Sequence, residues 1–487
     1  MTDDLIAAIP TGLLIDGEWR PAVSGRHLGV EDPATGKTLA QVADAGAEDV
    51  DAALAAAVDA QADWAATTPR FRAELLRSAY DAVVANREKF ATVISREMGK
   101  PLAEARTEVD YGADFLRWFG EETTRVGGRY QAAPDGNGRI LTTAAPVGPC
   151  LLITPWNFPL AMLTRKVAPA IAAGCTMVVK PASLTPLTAL LLAEVLNGLG
   201  LPRGVLNVIT SSSASTVSQR LMHDRRLRKV SFTGSTPVGR TLLRLASDNI
   251  VRSSMELGGN APFLVFADAD LDRAVDGAVV AKMRNNGQSC VAANRFYVHR
   301  SIAVEFTDRL VTRLEALRFG PGTEPVDAGP LADEAQRDTV HTLVRAAVAG
   351  GAALRTGGEP DTGPGYFYPP TVLTSVPPDS PVLHNEIFGP VAPVVPFDTE
   401  DEAVSLANES EFGLAAYLFT ENLDRALRLV DRLQVGMVGV NQGVVSNAAA
   451  PFGGVKASGL GREGGSEGIR EYLDVRYAAI SSPLGRP

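Results

Sequence analysis

The chain has 487 residues, 45% hydrophobic and 21% charged, enough for roughly two to four domains with substantial cores. Forty-six basic against 56 acidic residues leave a net charge of -10 with no basic run, which argues against a broad nucleic-acid footprint. Three cysteines without a CxxC pair and five scattered histidines exclude a dense disulfide framework and offer no metal-ligand spacing.

Met1-Thr2-Asp3-Asp4-Leu5 is acidic and lacks a long apolar core, so it does not read as a secretory signal, and a reducing cytosol fits the cysteine usage best. The most apolar run, residues 168–179, is short and holds Pro169 and Gly174, so no membrane span is expected. Residues 13–43 contain short strand-like runs broken by Asp16-Gly17 and Asp32-Pro33. Residues 49–64 and 70–98 read as amphipathic helices. Over residues 127–145 the pattern becomes two extended segments around Pro134-Asp135-Gly136-Asn137-Gly138, a hairpin expected to protrude as an arm. Residues 472–480 alternate like a strand that could pair with such an arm on a neighbouring subunit.

Between these segments strands alternate with helices. Strands are expected at residues 150–154, 176–179, 205–209 and 229–232, with helices reaching 173 and 199, another after 209, and one over 237–246. After Leu257 the rhythm repeats, with strands near 263–266, 295–298 and 437–440. The expected fold class is α/β, with two doubly wound parallel-sheet domains and a β arm.

Met255-Glu256-Leu257-Gly258-Gly259-Asn260 and Asn286-Gly287-Gln288-Ser289-Cys290 set a carboxylate and a thiol among glycines. A thiolate attacks a carbonyl well, and a carboxylate that deprotonates water is the simplest means of releasing the covalent product. Cys290 is therefore the candidate nucleophile and Glu256 the candidate base. A free cysteine is more often a small buried hydrophobe, but Asn285 to Ser289 are polar or flexible and make a poor wall for an apolar core.

The one literal GxGxxG, Gly459 to Gly464, follows no apolar strand and is expected to be a flexible loop. A better phosphate candidate is Val230 to Gly239, where a strand meets Gly234, Ser235 supplies an N-cap and Pro237 lies in the first helical turn. By itself that pattern fits a capped helix or a nucleotide site. Lys180 ends a parallel strand and is either solvated or a ribose or phosphate contact. Asn157, held between Pro155 and Pro159, is either a turn former or a fixed amide donor for an oxyanion.

Taken together, TPWNFP at 154, KPAS at 180, FTGSTPVG at 232, MELGGNAP at 255, NGQSC at 286, EIFGP at 386 and PFGGVKASGLGREGG at 451 resemble the aldehyde dehydrogenase superfamily over nearly the whole chain. Met162 to Pro169, Lys282 to Cys290 and Val444 to Asn447 look most like its bacterial succinate-semialdehyde dehydrogenases. The resemblance implies cofactor binding by residues 1–127, 147–256 and 441–469, catalysis by 257–440 and an oligomerisation arm from 128–146 and 470–487, building a homodimer or homotetramer.

By position, the resemblance makes Cys290 the nucleophile, Glu256 the general base, and Asn157 with the Cys290 backbone N–H the oxyanion hole. It assigns Lys180 and Ser183 to the adenosine ribose, Gly234 and Ser235 to the pyrophosphate, and Glu386 with Phe388 to the nicotinamide ribose. Trp156 and Leu257, within the same motifs, join this cofactor set. Relatives that use NAD commonly carry a Glu at the Ser183 position, so NADP is expected as the preferred cofactor with NAD possible. Arg165, Arg284 and Ser446 are the candidates for a substrate's distal carboxylate.

The implied reaction is oxidation of succinate semialdehyde to succinate in the cytoplasm, with glutarate semialdehyde or another aldehyde as the alternative. Glu256 argues against a CoA-acylating relative, and the intact trio of Asn157, Glu256 and Cys290 argues against a purely structural cofactor-binding protein. Ala292 stands where close relatives often have a second cysteine, so no redox switch is expected there. Thr210 to Ser218 is serine-rich where relatives usually carry glycines.

Overall fold

Runs of buried aliphatic and β-branched residues, each followed by a helix, dictate a sheet covered on both faces. In the computed structural model, which describes residues 2–481, Leu206–Val208, Met177–Lys180, Cys150–Ile153, Lys229–Thr233 and Arg252–Glu256 lie parallel in that spatial order. Chain order reverses between Cys150–Ile153 and Lys229–Thr233. Such a reversal leaves a crevice at the carboxyl ends of the strands, where ligands bind in open α/β sheets. Leu13–Ile15 with Glu18–Arg20 extends one edge antiparallel, and Gly459–Leu460 closes the other beside Arg252–Glu256.

A second sheet orders Ala353–Thr356, Thr371–Thr374, Val391–Phe397, Ala293–His299, Ala261–Val265, Ala415–Phe419 and Met437–Val440, parallel except for the first strand. Its core is aromatic: Phe263 stacks on Phe419 at 4.9 Å and tilts against Phe296 at 5.2 Å. Each such pair contributes about 0.5–1.5 kcal/mol beyond area burial. The chain leaves the first sheet at Glu256 and enters the second at Ala261, so residues 257–260 cross directly from one to the other.

The expected helix over 70–98 is instead two, Pro69–Ala85 and Arg87–Met98. Asn86 breaks them: its φ and ψ of -102° and 21° leave the helical well, and its side-chain amide donates to the Ala82 carbonyl. The arm hairpin forms as expected from Arg129–Ala132 and Gly138–Pro146. Leu473–Ser481 pairs with Gly138–Pro146 of its own chain along all nine residues and forms the edge of that sheet. The Tyr472 carbonyl accepts from Val147 N–H, which delivers the strand straight onto that edge. Residues 482–487 of the expected arm lie outside the described residues. Among the described residues, no helix is long and apolar enough to cross a membrane, and no cluster of three or more His, Cys, Asp or Glu side chains could hold a metal.

Candidate active site

Cys290 sits between the sheets, three residues before Ala293–His299, on a closely packed turn. Asn285, Asn286 and Gly287 all take left-handed backbone, at φ 55°, 52° and 76°. For the two asparagines that conformation is strained, and it persists because the surroundings over-determine it. The Asn285 side chain donates to the Asn157 carbonyl at 2.8 Å and to the Gln288 carbonyl at 3.1 Å. Its backbone N–H donates to Glu104 at 2.7 Å, and Asn286 donates to the Gly329 carbonyl at 3.0 Å. Gly287 must be glycine, because a Cβ there would lie 2.2 Å from the Gly389 carbonyl oxygen.

Asn157 follows strand Cys150–Ile153, and its amide donates to the same Gln288 carbonyl at 3.0 Å, so this turn fixes the amide near the thiol. Lys100 grips the Asn157 carbonyl at 2.8 Å while paired with Glu108, whose other oxygen caps the backbone N–H groups of Leu160 and Ala161. A buried charged frame on helix Leu102–Thr123 and the residues before it thus positions the amide. Sequence reading missed it. Glu104 and Glu108 at i, i+4 on one helical face, with Lys100 just upstream, were the available signal.

A cavity of about 270 Å³ joins the pieces. Cys290, Asn157, Arg165, Arg284 and Ser446 line it. Of the expected cofactor residues, Trp156, Gly234, Ser235, Leu257, Glu386 and Phe388 also line it. Lys180, Ser183 and Glu256 do not. Tyr111, Phe158, Gln336, Thr339 and Phe452 line it without having been singled out from sequence.

Burial pushes the Cys290 thiol up to about 12, with Arg165 opposing the shift and Glu386 and Glu256 adding to it. The resting sulfur is therefore protonated at neutral pH. The Glu256 carboxyl, 2% exposed, ends strand Arg252–Glu256 and makes no hydrogen bond among the described residues. Burial raises its pKa well above normal, Glu463 adds to that, and Arg165, Lys166 and Arg462 oppose it. The carboxyl lies against Gly453, where an added Cβ would come within 2.9 Å of Oε1.

Arg165 faces Glu463 at 3.1 Å and stacks over the Phe452 ring at 4.0 Å. Arg284 donates to the Ser446 hydroxyl at 3.2 Å and lies over Phe158 at 4.9 Å. Two of the three expected carboxylate ligands are thus in direct contact, while Arg165 is charge-compensated.

For a nucleotide, Gly234-Ser235 stands at the N-terminus of the 14-residue helix Thr236–Asn249, at the end of a parallel strand beside the crevice. Ser235 occupies the N-cap position, but its side chain makes no capping bond, contrary to the expected cap. Gly239 permits the helix to pack on Leu257, whose side chain would lie 2.4 Å from an added Cβ. Trp156 and Phe388 meet edge-on at 5.4 Å, and Phe388 is held at φ 52° with its carbonyl accepting from Gln336 at 3.0 Å. Glu386 accepts from Gly259 N–H at 3.1 Å, and burial raises its pKa to about 7. These groups suit a dinucleotide: free helix N–H groups for phosphate, an acidic acceptor for ribose hydroxyls and an aromatic wall.

Lys180 is buried at the end of Met177–Lys180, donating to the Pro181 carbonyl at 3.0 Å, and burial lowers its pKa to about 8 while Asp44 pulls the other way. Ser212, in the serine-rich stretch, binds Asp44 through its N–H and hydroxyl. Gly459–Leu460, expected as a flexible loop, is instead a strand paired with Met255 and Glu256.

A sequence model described as aldehyde dehydrogenase family matches residues 19–478. A succinate-semialdehyde dehydrogenase of Paenarthrobacter nicotinovorans is 61% identical over 446 residues, covering 91% of this chain and 99% of that protein. A glutarate-semialdehyde dehydrogenase of Pseudomonas aeruginosa is 46% identical over 467 residues, 96% of each. A crystal structure described as an E. coli NADP-dependent enzyme superposes with a TM-score of 0.96 at 44% identity, covering 98% of this chain and 99% of that one.

Proposed function

The chain belongs to the aldehyde dehydrogenase family, and from that premise we propose that it oxidises succinate semialdehyde to succinate through a covalent Cys290 adduct. The observation that carries this reading is a single cavity holding a thiol, a fixed amide and an arginine whose one side-chain hydrogen bond among the described residues is to a hydroxyl. A thiol with amide fits a reacting carbonyl, and a guanidinium with hydroxyl fits a distal carboxylate.

In this reading Trp156, Gly234, Ser235, Leu257, Glu386 and Phe388 hold a nicotinamide dinucleotide, which supplies the two-electron acceptor. Cys290 sulfur, once deprotonated, adds to the aldehyde carbon to give a thiohemiacetal, and Asn157 Nδ2 with the Cys290 N–H hold the oxyanion. After oxidation the acyl group remains as a thioester on sulfur. Glu256 takes a proton from water, the hydroxide adds to the acyl carbon, and the C–S bond breaks to return the thiolate and release succinate. Its raised pKa, set by burial and by Glu463, suits a base that must first receive and then pass on a proton. Arg284 and Ser446 anchor the distal carboxylate, while Arg165 offsets negative charge among Cys290, Glu256 and Glu463.

We assign cofactor binding to residues 1–127, 147–256 and 441–469, catalysis to 257–440, and self-association to the arm, 128–146 with 470–487. Exposed Tyr130, Val475 and Tyr477 on the arm sheet support its burial by another copy. NADP is the favoured cofactor: Ser183 brings no carboxylate to repel a 2'-phosphate, Lys180 brings a cation, and a relative is described as NADP-dependent. Cytoplasmic action agrees with the sparse cysteine usage of the chain, three in all with no CxxC pair. Glutarate semialdehyde is the second substrate reading, favoured by the 46% identical relative.

The test is a panel of aldehydes of matched length, with and without a terminal carboxylate, assayed with NADP and NAD. Succinate semialdehyde with NADP should give the highest kcat/KM. A butanal value as high would remove the substrate assignment, and a higher kcat/KM with NAD would remove the cofactor preference.

A further inference from the structure

Helix Leu102–Thr123 brings Tyr111 to the cavity that holds Cys290. Its ring packs edge-on against Phe115 at 4.9 Å, and the Arg284 guanidinium carbon lies 5.9 Å from the ring centre. Its hydroxyl oxygen is buried and has no hydrogen-bond partner among the described residues. A buried hydroxyl left in that state costs about 1–3 kcal/mol, and an acceptor bound in the adjoining cavity would satisfy it.

The surrounding charges say what that group is. Burial opposes the Arg165 charge, and Glu463 and Glu256 are among the neighbours that favour it. Tyr111 thus shares the cavity wall with two arginines and has the Arg284 guanidinium beside its ring, surroundings that suit an anionic group. A phenol here can donate to a carboxylate oxygen without adding charge. Phenylalanine would fill the same wall but could not make that bond.

Building on the substrate reading above, the geometry points to Tyr111 as a specificity-determining residue, its hydroxyl donating to the substrate's distal carboxylate alongside Arg284 and Ser446. The three groups come from three separate parts of the chain: helix Leu102–Thr123, the turn before Cys290, and the segment after Met437–Val440. Charge and hydroxyl donors converge there, so the site selects aldehydes with a terminal anion and places their carbonyl at the thiol.

Tyr111→Phe keeps the ring packed on Phe115 and tests only the hydroxyl. With succinate semialdehyde, KM should rise about tenfold, the value of one hydrogen bond to a charged group, with kcat within about twofold. With butanal neither constant should change. Succinate as an inhibitor competing with the aldehyde should weaken by the same factor, a readout that needs no turnover of the carboxylated substrate. Unchanged constants, or equal losses on both aldehydes, would overturn the assignment. A wild-type enzyme that itself shows no preference for the carboxylated aldehyde would instead remove the substrate reading, and this inference with it.

Discussion

Arg165 faces Glu463 across 3.1 Å with both side chains almost wholly withdrawn from solvent, whereas Arg284, on the same cavity, donates only to the Ser446 hydroxyl among the described residues. One guanidinium is held in a short ion pair, while the other, with Glu104 only in its electrostatic neighbourhood, has none among the described residues. Arg284→Ala should therefore lower kcat/KM for succinate semialdehyde about a hundredfold or more, as expected for a charge-assisted pair, and leave butanal within about threefold. Equal losses on the two aldehydes would refute its role as carboxylate anchor.

The thiol and the acid divide the reaction into formation and release of an acyl-enzyme. Cys290→Ser should reduce turnover by at least about a thousandfold while the fold persists. Glu256→Gln should still acylate, releasing close to one equivalent of NADPH per site in a rapid burst, with the following steady state slower by about 10²–10⁴. A missing burst in that variant would place Glu256 before the thioester.

Burial holds the Cys290 thiol at about 12, so in cofactor-free protein the thiolate is a minor species whose fraction grows about tenfold per pH unit. Alkylation by iodoacetamide should climb steadily with pH and show no plateau near the usual thiol value of about 8.5. Cys150 and Cys175 are fully buried, so the label should map to Cys290. A plateau below about pH 9 would show a thiolate stabilised before cofactor binds.

Lys180 loses its proton near pH 8 because burial disfavours the ammonium. A 2'-phosphate needs that ammonium and a plain ribose does not. KM for NADP should therefore rise above about pH 8 while KM for NAD stays level, and Lys180→Met should abolish the difference. Parallel pH profiles for the two cofactors would sever Lys180 from the phosphate.

Lys100 and Glu108 are both about 1% exposed, and removing one would strand the other. Lys100→Met should destabilise the protein by about 3–5 kcal/mol, read as a lower urea midpoint. It should also depress kcat, since the Asn157 carbonyl loses its donor.

What sequence could reveal follows the range of each interaction. The strand-helix rhythm and the turn bearing Cys290 are local patterns, and both sheets form near the expected segments. The break at Asn86 escaped because the segments on either side, Pro69–Ala85 and Arg87–Met98, both read as helix, and the Asn86 bond to the Ala82 carbonyl is a detail of the folded chain. Glu463 beside Lys166 is separated by 297 residues, and Tyr111 reads as one more aromatic on an amphipathic helix; only the tertiary structure puts them at the site. Alternation in residues 472–480 specified two faces but not which edge they would join.

Gly459 is paired with Glu256, and a Cβ on it would lie 1.9 Å from the Met255 carbonyl oxygen. What resembles a dinucleotide signature is thus a gasket, thin enough to lie flush against the strand that carries the acid. Any bulkier residue would collide with that carbonyl and displace the strand end whose burial raises the Glu256 pKa. The proton affinity of the acid is therefore governed partly by a position that has no side chain.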